Sequence, residues 1–211
     1  MQDLQRAGGY AGLVAAATYV FGMALLVAVL IPAGYDPEAP EVAVALDHLG
    51  LLTLWNAVIY PANAVALVIL VLALGERLRP ATPGLATLSV AHGLIWAALV
   101  FAAGMAMIVG LRSAAGAEAP ETAARIFETA QLVENGLGGG VELAGGIWAI
   151  YVGLAALRGG GLPRLLALVA LGLGVVGVTT LLPAAAAVAG PIFGLGFILW
   201  FGWAGIVLLR A

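Results

Sequence analysis

The stretch "ENGLGGGVELAGGIW" places an acid, Glu142, among glycine and alanine in an otherwise apolar run. A carboxylate at mid-bilayer costs about 2.5–3.5 kcal/mol on insertion scales, and less near the interface. Such a group must find a partner, carry a proton or face water. Asn135 stands seven residues earlier, on nearly the same helix face, and Glu134 and Gln131 extend the polar strip outward. A second strip is formed by Asn56, Tyr60 and Asn63 at i, i+4 and i+7, with Thr53 continuing it. Pro61 interrupts the hydrogen-bond ladder beside Tyr60 and frees a carbonyl one turn earlier. With about 1.5 Å of rise per residue, Asn56 falls roughly 8 Å and Asn63 roughly 18 Å below the outer surface, and Glu142 falls near the depth of Asn56. The expectation is a polar contact from Glu142 to Asn56 or Tyr60. Gly138, Gly139, Gly140, Gly145 and Gly146 remove side chains that would hold the helices apart. The chemistry open to such a set is proton exchange, cation binding or hydrogen bonding to a small solute. The competing reading is structural: a buried, bonded acid and asparagines that join helices.

His92 belongs to another helix, in its inner half, with Ser89 and Trp96 on its flank. It is read either as a pocket residue or as a neutral imidazole bonded to a backbone carbonyl or to Ser89. Haem ligation needs two imidazoles at one level, and His48 lies outside. Zinc needs three or four ligands together. The glycines form no phosphate loop, because the lysine and the strand-to-helix context are missing. There is no cysteine, which excludes disulfides and thiolate metal sites. There is no lysine either, which excludes a Schiff base and with it a retinal pigment. No basic patch points to nucleic acid. No cofactor and no metal are expected.

The elements that must position these residues follow from composition. The chain has 211 residues, 64% hydrophobic and 9% charged. A soluble domain carries roughly a quarter of its residues as charges. Several apolar runs reach the about 20 residues that a helix needs to span a bilayer, and they do not alternate as barrel strands do. The fold class expected is therefore all-α: one polytopic membrane domain over 1–211 with six spans. These are read at about 9–32, 51–74, 83–111, 136–157, 163–182 and 191–209. Pro83, Pro163 and Pro191 each stand at a helix start, where the missing N–H costs nothing. The first span is too long for a signal-peptide core, and no small-x-small cleavage site precedes the acidic loop, so it is expected to remain.

All eight basic residues are arginine. Arg6, Arg77, Arg79, Arg158, Arg164 and Arg210 fall at the termini and even-numbered connections, and only Arg112 and Arg125 in odd ones. The positive-inside rule then puts both termini in the cytoplasm of a cell (inner) membrane protein. Asp36, Glu38, Glu41, Asp47, Glu118, Glu121 and Glu128 lie on the outer side. The segment "APETAARIFETAQLVEN" reads as an amphipathic helix with Ala124, Phe127 and Leu132 near one side, lying along the outer surface as a cover or a gate. "EAPEVAVALDHLG" reads as a shorter helix of the same kind, and "LLPAAAAVAGP" as an uncharged connection. Trp200 and Trp203 are expected in an interfacial belt.

The C-terminal half, "GGGVELAGGIWAIYVGLAALRGGGLPRLLALVALGLGVVG" followed by "IFGLGFILWFGWAGIVLLR", resembles an uncharacterised bacterial membrane family, the domain of unknown function 4386 type. The glycine-rich acidic entry, the "ALR…GLPR" turn and the "FG…WFGWAGI" end carry the resemblance, which is best over 134–210. It implies six helices and assigns no activity and no catalytic residue.

Three functions fit this reading. The first is binding or transport of a small molecule, ion or lipid through a polar pocket in spans one to four, built from Glu142, Asn135, Glu134, Asn56, Tyr60, Asn63 and His92. The second is an accessory or scaffold role, with spans five and six packing on a second copy or a larger complex. The third is an intramembrane enzyme acting on lipid, for which a lone Glu–His pair would have to supply acid–base chemistry.

Overall fold

The computed structural model describes residues 2–37 and 39–210. Glu38, one of the acids expected on the outer side, lies outside the described residues. Those described form helices and connecting turns, with no strand among them. The helices are α1 (Gln2–Leu30), α2 (Val42–Asp47), α3 (Leu49–Leu78), α4 (Pro83–Ala115), α5 (Pro120–Glu134), α6 (Leu143–Gly159), α7 (Arg164–Thr179) and α8 (Pro183–Leu209). Five helical stretches are long and apolar enough to cross a membrane: α1, α3, α4, the run Pro120–Gly159 that contains α5 and α6, and α8. The shorter α7 is equally apolar. The molecule is an all-helical membrane protein.

The long helices close into a ring in chain order. α1 packs on α3, α3 on α4, α4 on α6, α6 on α7, α7 on α8, and α8 returns to α1. Small residues make these seams close. A Cβ at Gly12 would stand 2.9 Å from the Phe201 carbonyl oxygen, and one at Gly146 would stand 2.8 Å from that of Gly174. Such close approach is how helices associate where lipid supplies no hydrophobic drive. The ring is filled by aromatic side chains. Trp96, Trp148, Trp200, Phe193, Phe197 and Phe201 are all buried and stack in tilted and edge-on pairs. Trp200 is therefore a core residue and not part of an interfacial belt. It is 1% exposed, and its indole N–H donates to Leu166 O (3.0 Å). Trp203 is the more exposed of the two, at 37%.

A second, smaller core lies at the end of the bundle where α3 begins. There α5 rests on α4 and touches α2, and Ala123, Phe127 and Ala130 join Leu52, Met107 and Leu111 in one buried cluster. Ala123, Phe127 and Ala130 follow helical i, i+4, i+7 spacing. Leu132 was expected on this face but is 75% exposed. At about 100° per residue, five residues beyond Phe127 is roughly 140° around the helix. At the other end Arg77 ties three elements, donating from Nε to Gly161 O and from Nη1 to Gln5 Oε1 (3.0 Å). The turn it clamps needs glycine, since Gly160 and Gly161 have φ of 76° and 87°.

Three helix starts differ from the sequence reading, the first being α1, which begins at Gln2 and not near Gly9. α8 begins at Pro183, and Pro191 lies inside it. Four consecutive alanines after Pro183 are the strongest helix formers available, so the expected connection is helical. α6 begins at Leu143 and not near Gly136. Asn135–Gly139 forms a wide π-type turn, and Gly138 leaves helical geometry altogether at φ 134°. The glycines each weaken a helix by about 1 kcal/mol relative to alanine, and here they break it.

Candidate acidic cavity

The break between α5 and α6 sets the geometry of the site. Glu134 ends α5 and Glu142 precedes the first residue of α6, so the two acids stand at the two ends of one glycine-rich bend. The bend satisfies its own backbone. Gly140 and Val141 N–H both donate to Asn135 O at 3.2 Å. The Glu142 N–H donates to Thr180 Oγ1 at 2.9 Å, and Thr180 in turn donates to Gly177 O at 2.7 Å. Thr180 sits just past the end of α7, so the segment read as the fifth span, outside the pocket expected in spans one to four, reaches this site.

On the facing side, Pro61 shapes α3. Its missing N–H and its ring disrupt the α-helical ladder, and Val58–Ala62 opens into a π-turn. Gly104 of α4 makes room for the bulge, because a Cβ there would lie 2.4 Å from Tyr60 Cβ and 2.6 Å from Pro61 Cδ. The Tyr60 hydroxyl donates to Glu134 Oε1. The acid that meets α3 is thus Glu134. The Glu142 carboxyl makes no side-chain hydrogen bond among the described residues, although it lies within electrostatic reach of Tyr19, Tyr60 and Glu134.

Tyr60 and Glu134 border a partly enclosed cavity of about 180 Å³ between α3, α4, α5 and the segment after α1. Asn56, Tyr60, Gln131, Glu134 and Asn135 supply its polar wall, and Trp55, Met107 and Phe127 supply its apolar wall. Tyr35 adds a phenol from the connection after α1. Burial and the nearby Glu134 charge push that phenol up to about 12. No basic residue lines the cavity among the described residues. The arrangement can hold a proton or a positively charged or hydrogen-donating group, and it offers an anion no positive charge. The volume suits a small group and is below the about 300 Å³ at which drug-sized pockets start.

Of the residues singled out by sequence, the structure brings together Asn56, Tyr60, Glu134 and Asn135, with Glu142 close by. Asn56 lines the cavity while its amide donates to Leu52 O of its own helix (2.8 Å). Asn63 is elsewhere: its amide donates to Ala15 O (3.0 Å) and Thr18 Oγ1 (2.7 Å), joining α3 to α1. The π-turn explains the separation. One extra residue in a turn rotates everything beyond it by about 100° relative to a continuous α-helix, so Asn56 and Asn63 no longer share a face. His92 is also elsewhere. Its Nδ1 donates to Leu88 O (3.0 Å) and its ring packs on Tyr151 with centroids 5.0 Å apart. Tyr19, Tyr35 and Thr180 were missed. Tyr19 carried a visible signal, a phenol inside an apolar span, whereas Thr180 looked like the tail of an inert helix.

No curated protein and no solved structure matches the chain. A family match does run along almost all of it, over residues 7–207, and not only over the half that carries the resemblance. The chain belongs to the family described as Domain of unknown function (DUF4386).

Proposed function

We propose that this protein is a six-span protein of the cell membrane, both termini cytoplasmic, that binds a small cation or proton-donating solute in the acidic cavity. The sixth span in this reading is α7, whose 16 residues cover about 24 Å. The distribution of arginines supports the orientation, and it places the cavity at the outer face. The observation that carries the binding reading is the Tyr60–Glu134 hydrogen bond in a cavity without a basic residue, with a second carboxyl nearby. Two acids so close in a poorly solvated place favour a bound proton or cation that offsets their repulsion.

The test is binding of ethylammonium to the protein in lipid nanodiscs, followed by calorimetry. Wild type should bind, and Glu134→Gln and Glu142→Gln should each weaken binding at least tenfold while keeping the helical fold. Unchanged affinity in both variants would overturn the proposal.

A further inference from the structure

The α1–α8 seam is closed at one end and open at the other. Gly9 and Gly12 meet Gly205 where the helices touch. Beyond Tyr19, which stacks on Phe201 at 6.4 Å between centroids, they part. The gap is a groove of about 360 Å³ between α1, α3 and α8, lined by apolar side chains that include Tyr19, Gly22, Trp55, Ile59, Pro191 and Gly194. It opens sideways among residues exposed on the bundle surface, such as Met23 (44%) and Leu195 (50%). In a membrane protein that side meets acyl chains.

The groove and the acidic cavity adjoin. Trp55 lines both, held as a partition by its indole N–H, which donates to Gly22 O at 2.9 Å. Tyr19 lines the groove and lies within electrostatic reach of Glu142. We infer that the two spaces are halves of one site for an amphiphile with a single apolar chain and an amine head, which enters sideways from the bilayer. The inference rests on the binding reading above and names its ligand class. The chain fills the groove, whose lining is almost wholly apolar and offers a headgroup at most the Tyr19 hydroxyl. The head is cationic, because the adjoining cavity presents the Glu134 carboxylate and no base, with Glu142 in reach of Tyr19 beside it. A carboxylate or phosphate head would be repelled there, and an uncharged head would gain only hydrogen bonds.

The probe is dodecylamine with a diazirine at its chain end, photocrosslinked to the protein in phosphatidylcholine vesicles and mapped by peptide mass spectrometry. Labelling should concentrate on the groove face of α8. It should be competed by dodecylamine at least tenfold better than by dodecanol or dodecanoate. Gly194→Phe is the informative variant: Gly194 lines the groove, and a Cβ there meets nothing within 4 Å, so retained helicity and melting temperature are checked alongside. It should abolish the competable labelling, and Glu142→Gln should reduce it at least tenfold. Equal competition by all three heads would reduce the groove to an ordinary acyl-chain contact and overturn the inference, as would full labelling in Gly194→Phe. Ethylammonium binding that survives in Gly194→Phe while the labelled amine shows no head preference would leave the cavity reading standing and this one refuted. Loss of ethylammonium binding from wild type would remove both.

Discussion

Asn63 and Tyr35 show how differently single polar side chains act in this molecule. Asn63 is fully buried and gives both of its amide protons to α1. Interhelical hydrogen bonds in membranes contribute about 0.6 to 2 kcal/mol. Asn63→Ala should therefore lower unfolding free energy by about 1 kcal/mol, measured by unfolding in mixed micelles, and leave ethylammonium affinity unchanged. A loss of binding without a loss of stability would instead make Asn63 part of the site. Tyr35 lies outside the spans, and its phenol is pushed from 10.0 to about 12, first by burial and then by Glu134. The folded state thus holds a proton that the unfolded chain releases earlier. The stabilisation is complete below pH 10 and is lost as pH rises through about 12. Phenolate absorbance should lose a component near pH 12 in Tyr35→Phe, and that component should shift to lower pH in Glu134→Gln.

At the scale of elements, the bend between α5 and α6 decides how the acids are presented. Gly138 has φ 134°, a conformation that costs an L-residue about 1–3 kcal/mol. Gly136 lies in the same bend with helical geometry and open space at its Cβ. Gly138→Ala should destabilise the α5 end by about 1–3 kcal/mol and raise amide exchange across 134–142. Gly136→Ala should be nearly silent. Equal effects would mean that the break is not what holds Glu134 and Glu142 apart. The α1–α8 seam gives a second case. A side chain at Gly12 meets backbone, at 2.9 Å from Phe201 O and 3.0 Å from Gly205 Cα, so nothing flexible can yield. Gly12→Leu should separate the two helices and lower the melting temperature by several degrees.

For the whole molecule the sharpest prediction is topological. The chain contains no cysteine, so single introduced thiols report without background. Glu128→Cys on the exposed face of α5 should react with an impermeant maleimide from outside intact cells. Arg158→Cys, exposed near the end of α6, should react only after the membrane is opened. Labelling of Arg158→Cys from outside would reverse the orientation and put the acidic cavity on the cytoplasmic face.

Membrane residence, the apolar helices α1, α3 and α4 and the surface helix α5 were legible in the sequence, because each follows from local quantities. Run length, charge count and 3.6-residue periodicity do not depend on partners. The cavity was legible only in its ingredients. Which acid meets Tyr60 turned on two departures from regular helix, the π-turn at Pro61 and the glycine break before Leu143. A helical wheel carried through either of them misplaces every residue beyond it by about 100° or more. Whether a glycine run bends or stays helical is a balance of about 1 kcal/mol per residue. A distant group adds to that balance, since the Thr180 hydroxyl accepts the Glu142 N–H. Trp200 makes the same point in the core: its type fits an interface, but the ring of helices turns it inward to a carbonyl on α7. Composition and run length determined the solvent and the all-helical class. Only the packing of the helices against one another decided which polar groups face each other, because that depends on rotations about helix axes that no single segment encodes.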